Sequence, residues 1–171
     1  MNNIDQIINA LTLEEKVSLL SGFNSWYTNK IERISIPSIK MSDGPNGVRG
    51  DSNSGKSSAC FPCAISIGSS WDLDQVKKIG VALGEEAQAK NVDVLLGPTI
   101  NIHRHPLGGR HFESFSEDPF LTGKIASNYV QGVQSQNVAA CLKHFVGNDT
   151  EFERHSISSN IDERTLREIY L

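Results

Sequence analysis

The chain has 171 residues, 38% of them hydrophobic and 21% charged, which is ordinary for a globular protein with one packed core. A formal charge of −4 without runs of lysine or arginine argues against nucleic acid or an anionic membrane surface as a partner. The apolar runs are too short to span a bilayer, and the N-terminus has no signal-like segment. The chain has three cysteines, an odd number that does not suggest a disulfide framework. These features predict a cytoplasmic protein.

The first part of the chain predicts one helix and one strand. Thr12 and Glu15 form a capping box that opens a helix, and Gly22 stands where a C-terminal cap is expected. Residues 39–41 predict a short strand, which stops at the turn sequence Ser-Asp-Gly-Pro of residues 42–45.

The rest of the chain repeats this alternation of helix and strand. The predicted segments are a helix from Asp72 to about Lys90, a strand at 92–96, a helix from Asp118 and Pro119 onward, a strand at 139–142 and a helix over 163–171. Strands joined through helices must pair in parallel, which predicts an α/β fold, either a β/α barrel or an open sheet. Asp43, the loop 97–117 and the pair Lys143-His144 then all follow carboxyl ends of strands, where both folds build their sites.

Residues 50–63, GDSNSGKSSACFPC, contain two familiar patterns, a P-loop and a C-x-x-C. A P-loop leaves a hydrophobic strand and enters a helix, but a turn-rich stretch precedes Gly50 and Pro62 would interrupt the helix. No second cysteine or histidine pair completes a zinc site. We therefore predict a solvated loop, with Cys60 and Cys63 as partly buried thiols.

Three histidines, at 103, 105 and 111, lie in a loop that contains proline and glycine. No carboxylate accompanies them at helical spacing, and metal ligation demands exact geometry. We expect no metal and no other cofactor.

Asp43, Arg110, Lys143 and His144 together suit a polar, neutral ligand such as a sugar. A carboxylate accepts hydrogen bonds from adjacent hydroxyls, and cationic groups donate to the same hydroxyls from the other side. Each residue alone also has an ordinary structural explanation, as a turn residue, a loop ion pair, a solvated strand end or a core histidine. Their position after three successive strands favours a shared site.

Four segments carry a family resemblance: MSDGPNGVRG, LLGPTINIHRHPLGGRHFESFSEDPFLTG, CLKHFVGND and IDERTLREIYL. From Leu11 onward the chain resembles the N-terminal barrel of glycoside hydrolase family 3, of the β-glucosidase type. The resemblance implies an incomplete (β/α)8-type (TIM-like) barrel over residues 1–171. It also implies a retaining β-glycosidase that acts on terminal non-reducing β-D-glucosyl or β-xylosyl residues. The substrates are expected to be small-molecule or oligosaccharide β-glycosides. A homo-oligomer of the full-length enzyme stays open. KHFVGND departs from the KHFPGHG of the N-acetylglucosaminidase branch, which favours the glucosidase or xylosidase branch.

The resemblance also implies the sugar-binding residues of the innermost subsite. They are Asp43 in SDGP, Arg110 in GGR, and Lys143 and His144 in KHF, with Arg49 as a weaker assignment that lines the pocket or braces Asp43. Successive strand residues point to opposite faces, so both Lys143 and His144 can touch one sugar only through special backbone. We expect a strained or cis peptide bond between them.

The catalytic carboxylates of the family are expected outside this chain. The nucleophile is an aspartate in an SDW-like motif and the acid/base is a glutamate in a second domain, so both are expected beyond Leu171; Trp71, in SSWD, belongs to a different segment. Glu113 is interpreted as an ion-pair partner of Arg110, and Glu117 and Asp118 as a helix start.

Two functions of different class follow. One is the N-terminal portion of a family 3 β-glycosidase, inactive by itself; the alternative is a stand-alone, non-catalytic sugar-binding or regulatory module. The uncapped apolar stop at 169–171 favours the first. Alone, such a portion is expected to fold poorly, with an open sheet edge and an exposed apolar patch.

Overall fold

A parallel three-stranded sheet lies at the centre of the fold. The computed structural model describes residues 4–50 and 56–171. The strands are β1 (Met41–Asp43), β2 (Val94–Leu96) and β3 (Ala139–Ala140), in the order β1-β2-β3. Ser42 pairs with Leu95, and Leu95 with Ala140. The predicted α/β class is therefore confirmed, with the carboxyl ends of all three strands at one edge.

Helices precede and connect these strands. They are α1 (Ile4–Ala10), α2 (Leu13–Leu19), α3 (Ala64–Ser70), α4 (Leu73–Ala89), α5 (Pro119–Gln134) and α6 (Glu163–Thr165), which continues as a π-helical turn (Leu166–Tyr170). Short 3₁₀ turns occupy Glu32–Ile34 and His111–Glu113. Among the residues that the structure describes, no helix has the length and apolarity needed to cross a bilayer.

The core lies between the sheet and the helices α4 and α5. It contains Leu83 from α4, Leu95 from β2, and Ile125 and Val133 from α5, all fully buried. The two helices pack closely, because a Cβ on Gly132 would stand only 2.3 Å from the carbonyl oxygen of Lys77. Glycine is required there to let the helix backbones approach.

The predicted helix starts are confirmed by their caps. The Thr12 hydroxyl accepts from the Glu15 N–H at 3.2 Å, and the Glu15 carboxylate accepts from the Thr12 N–H at 2.8 Å. Asp72 caps α4 through the Gln75 N–H at 2.9 Å, and Asp118 caps α5 through the Phe120 N–H at 2.8 Å. These polar contacts are local in sequence, which is why the sequence reveals them.

Several predicted boundaries are wrong. The first strand is Met41–Asp43 rather than 39–41, because Lys40 is bound through its N–H to the Asp93 carboxylate before the strand begins. The other two strands are shorter than predicted, at 94–96 and 139–140. Gly22 is not a helix cap: α2 ends at Leu19, and Gly22 forms an isolated bridge with Thr28.

The C-terminal segment and the cysteine-containing loop also differ from the predictions. The last helix is only three residues long before it widens into the π-helical turn. Helices α1 and α3 were not predicted; α3 begins two residues after Pro62, with Cys63 as its N-cap. Cys60 is exposed rather than partly buried, whereas Cys63 is half-buried. The central residues of the P-loop-like pattern, 51–55, lie outside the described residues.

Candidate sugar-binding site

Asp43 and Lys143 meet at the carboxyl edge of the sheet. Asp43 is the last residue of β1, and the Lys143 Nζ lies 2.7 Å from its Oδ1. The chain after β3 stays paired with the chain after β2: the Lys143 N–H donates to the Pro98 carbonyl at 3.0 Å, and the Ile100 N–H donates to the Lys143 carbonyl at 2.7 Å. The sheet pairing thus continues past its strands and delivers Lys143 to Asp43.

Asp43 is held as a carboxylate. Burial raises the pKa of Asp43, but the hydrogen bond and charge of Lys143, helped by the Gly44 N–H and the charge of Arg49, outweigh burial and hold that pKa below its ordinary value. A carboxylate has about four acceptor directions, and Lys143 uses one of them. Asp43 is therefore suited to accept hydrogen bonds from neighbouring hydroxyls.

His144 follows Lys143 through a cis peptide bond, as predicted. Its ring Nδ1 lies 2.8 Å from the Oδ1 of Asn101, and its backbone N–H donates to the same oxygen at 3.1 Å. Burial, followed by the charges of Arg110 and Lys143, lowers the pKa of His144. In the neutral ring, Nδ1–H donates to Asn101, and Nε2 is left as a hydrogen-bond acceptor.

Arg110 lies in the loop after β2, immediately before the 3₁₀ turn at His111–Glu113. Its Nε donates to Glu113 in a close ion pair, as predicted, and its second contact is with Glu151, at 3.5 Å between NH1 and Oε1. Burial lowers the pKa of Arg110, but the hydrogen bonds and charges of these carboxylates, Glu113 above all, outweigh burial and hold that pKa above its ordinary value. Glu113 is itself buried, and its carboxylate accepts a hydrogen bond from the Thr99 hydroxyl at 3.3 Å. The position of Glu113 is therefore fixed, and Glu113 in turn fixes the orientation of Arg110.

Arg49 stands next to Asp43 at the exposed rim of the edge. Its backbone N–H donates to the Asp43 carbonyl at 2.9 Å, and its charge contributes to lowering the Asp43 pKa. The structure thus places Arg49 beside Asp43 at the carboxyl end of β1.

Comparison with known proteins shows the family of this chain. The profile of the glycosyl hydrolase family 3 N-terminal domain matches residues 1–171. The chain belongs to glycosyl hydrolase family 3. It is 56% identical over 170 residues to a β-glucosidase of Rhizobium radiobacter, covering 98% of this chain and 21% of that protein. A thermostable β-glucosidase B of Acetivibrio thermocellus is 51% identical over 176 residues, covering 98% of this chain and 23% of that protein.

Solved structures of family 3 enzymes show the same fold. A Kluyveromyces marxianus β-glucosidase in complex with glucose superposes with a TM-score of 0.94 at 49% identity, covering 99% of this chain and 20% of that one. A Thermotoga neapolitana β-glucosidase 3B in complex with α-D-glucose gives 0.89 at 41% identity, covering 99% and 27%. The chain thus spans about a fifth of the length of the curated relatives it matches, and the predicted incomplete TIM-like barrel is confirmed.

Two other carboxylates that follow β2 in this family 3 chain are engaged in structural contacts. Asp118 caps α5, and Glu113 is paired with Arg110.

Within residues 4–50 and 56–171, no group of three or more histidine, cysteine, aspartate or glutamate side chains is arranged to hold a metal ion. His103 and His111 instead lie with ring centroids 4.7 Å apart, and the His103 ring contacts the Ser114 carbonyl.

Asn101 and Glu151 are the site residues that the sequence analysis missed. Asn101 orients His144. Glu151 links Arg110 to Arg154, because the Arg154 NH1 lies 2.9 Å from the Glu151 Oε2. Both missed residues lie in irregular loops, where spacing carries no signal about partners. Only the segments that resemble the family, which include Asn101, could have drawn attention to that residue.

Proposed function

We propose that this chain is the N-terminal portion of the barrel domain of a retaining β-glycosidase that hydrolyses terminal non-reducing β-D-glucosyl residues. Its part is to supply the innermost sugar subsite through Asp43, Arg49, Arg110, Lys143 and His144. The observation that carries the proposal is the Lys143–Asp43 pair at 2.7 Å, followed in the chain by a His144 ring held 2.8 Å from the Asn101 Oδ1, in a chain about half identical to several β-glucosidases.

The charges at the site fit a polyhydroxylated, neutral ligand. The Asp43 carboxylate accepts from one or two hydroxyls, while the Lys143 ammonium and the Arg110 guanidinium donate to hydroxyl oxygens. The His144 ring, when neutral and donating Nδ1–H to Asn101, adds an acceptor at Nε2. A ring with hydroxyls on adjacent carbons, each able both to donate and to accept, matches this set, whereas a phosphate would be repelled by Asp43.

We propose that the nucleophilic aspartate and the acid/base glutamate lie beyond Leu171. A retaining mechanism needs two carboxyl groups about 5–5.5 Å apart, on either side of the anomeric carbon. Glu113 and Asp118 are engaged with Arg110 and with the start of α5, and both are interpreted as structural. Residues 1–171 alone are therefore expected not to hydrolyse glycosides, because even a well-folded chain would hold only the sugar-binding half of the site.

A complete enzyme tests the proposal. Residues 1–171 are joined to the remaining four fifths of the Rhizobium radiobacter relative, and this protein, called the complete enzyme below, is assayed on aryl β-glucoside, β-xyloside and N-acetyl-β-glucosaminide. We expect turnover of the glucoside, with the xyloside as the alternative substrate. Preference for the N-acetylglucosaminide, or an unchanged rate after Asp43→Ala, would contradict the proposal.

The isolated chain provides the second arm of this test. It is expected to give no turnover above background. Turnover that disappears in Glu113→Ala or Asp118→Ala would show that the catalytic carboxylates lie within this chain. A sugar-binding chain whose complete enzyme stays inactive would favour the stand-alone module instead.

A further inference from the structure

We propose that Glu86, on α4, and Lys90, the C-cap residue that follows α4, are positioning residues outside the subsite that hold both flanks of the loop after β1 and thereby place Arg49 beside Asp43. This role rests on the function proposed above. The flanks are residues 48–50 and 56–59, and the pair Glu86–Lys90 is called the α4 clamp below.

The carboxylate of the clamp binds one backbone N–H from each flank. The Glu86 Oε2 accepts from the Val48 N–H at 2.8 Å, and its Oε1 accepts from the Ala59 N–H at 2.7 Å. Burial raises the pKa of Glu86, but these two N–H groups and Lys90 outweigh burial and lower it, so the group is a carboxylate. One side chain on a rigid helix thus joins two points that are eleven residues apart in the chain.

The ammonium of the clamp binds the same two flanks through their acceptors. The Lys90 Nζ donates to the Val48 carbonyl, to the Ser58 hydroxyl at 2.6 Å and to the Glu86 Oε1 at 3.1 Å. These three bonds use all three donors of an ammonium group. The Lys90 side chain is 5% exposed, so its hydrogen bonds are made away from solvent.

The other side of the first flank is tied to β1. The Arg49 N–H donates to the Asp43 carbonyl at 2.9 Å, and the Gly50 N–H donates to the Ser42 hydroxyl at 2.9 Å. Val48, which the clamp holds through both its N–H and its carbonyl, directly precedes Arg49. The backbone of Arg49 is therefore fixed between α4 and the end of β1.

Two further contacts bring the flanks against the end of α4. Gly50 has a φ of +60°, and a Cβ there would stand 3.0 Å from the Cδ of Lys90, so the lysine stem packs directly under this residue. The Lys56 ammonium donates to the Ala89 carbonyl at 2.6 Å. Both flanks are thus held against the last turn of α4 and its C-cap residue.

Stability alone does not explain a buried ion pair at this place. Exchanging such a pair for apolar side chains of similar volume is often neutral or stabilising, because two charges lose their hydration. What an apolar pair could not do is bind backbone N–H and carbonyl groups of two loop flanks at once. The clamp therefore specifies the conformation of the two flanks, and the first flank carries Arg49.

A double-mutant cycle in the complete enzyme tests the coupling between the clamp and Arg49. Lys90→Met is expected to lower kcat/KM about 10- to 100-fold, as small misplacements of binding groups do. In an Arg49→Ala background the same change is expected to cost less than about 3-fold, because the residue that the clamp positions is already absent. Lys78→Met, an exposed lysine on α4, is the matched control and should leave kcat/KM unchanged.

Equal losses in both backgrounds would overturn the proposal, since a merely structural lysine would act independently of Arg49. Glu86→Gln provides a second variant, because an amide cannot accept from both Val48 and Ala59 while avoiding its own N–H groups. Hydrogen exchange at these two amides is measured in the same protein: protection that Glu86→Gln removes supports the clamp. Free exchange in the unmodified protein would overturn it. This readout stands even if the unmodified enzyme has no β-glucosidase activity, an outcome that would count against the proposed function alone.

Discussion

The two halves of the candidate site are held in place by different means. In the strand-end half, Asp43 and Lys143 are positioned by backbone pairing at the edge of a parallel sheet. In the loop half, Arg110 lies on irregular backbone and takes its orientation from Glu113 and Glu151. The first half therefore depends on the fold, whereas the second depends on a few charged side chains.

Removing the carboxylate of the strand-end half has the largest expected effect. In the complete enzyme, Asp43→Asn should lower kcat/KM by about 10³-fold, because a site built to bind hydroxyls loses its anionic acceptor and leaves Lys143 beside a neutral amide. Steady-state kinetics on an aryl β-glucoside measure the loss. Asp74→Asn, an exposed aspartate in the first turn of α4, serves as the control. A loss below about 10-fold would show that the strand-end half does not bind the sugar.

The loop half is tested by comparing its two carboxylates. Glu113→Gln should lower kcat/KM by roughly 10- to 100-fold, since the buried Glu113 contacts the Arg110 Nε directly and the arginine then loses its orientation. Glu151→Gln should cost only about 2- to 3-fold, because its contact with Arg110 is longer, at 3.5 Å. The matched changes are assayed side by side. Equal losses would show that Glu151 holds the arginine as firmly as Glu113 does, against the difference in their contact distances.

The scaffold of the strand-end half is tested through two glycines of α5. Gly132→Ala places a methyl group 2.3 Å from the Lys77 carbonyl oxygen and should lower the free energy of unfolding by about 1–3 kcal/mol. Gly123→Ala meets no atom within 4 Å and should raise it by up to about 1 kcal/mol through helix propensity. Urea denaturation of the complete enzyme measures both. A neutral Gly132→Ala would show that α4 and α5 can separate without cost.

The separation in sequence between contacting residues decides which parts of the fold could be predicted. The starts of α2, α4 and α5 were predictable because their caps join residues two or three positions apart. Strand ends were misplaced because what fixes them is distant: Lys40, before β1, is bound by Asp93. The π-helical turn over Leu166–Tyr170 has no sequence signal that separates it from a continuing α-helix.

The candidate site divides in the same way. Asp43, Lys143 and His144 could be placed together from the rule that parallel strands end at one edge. The contact of Glu113 with Arg110 was predictable from their spacing of three residues. Asn101 and Glu151 could not be paired with His144 and Arg110 from spacing, because more than 40 residues separate the members of each pair. The clamp at Glu86 and Lys90 could not be predicted from the sequence, because an i, i+4 pair of opposite charge is usually exposed to solvent.

The smallest expected effect concerns His144, where the two halves meet electrostatically. Burial and the charges of Arg110 and Lys143 lower the pKa of His144, while Glu113 and Glu151 oppose them. The unfolded chain therefore takes up the proton more readily, so this histidine contributes stability above its ordinary pKa of about 6.5, and that contribution is lost as the pH falls through the lower, folded pKa. An NMR titration of the ring in the complete enzyme should give a midpoint below that ordinary value. Arg110→Met should raise the midpoint, because it removes a cation and releases two carboxylates, whereas an unchanged midpoint would show that the loop half does not act on the strand-end half through charge.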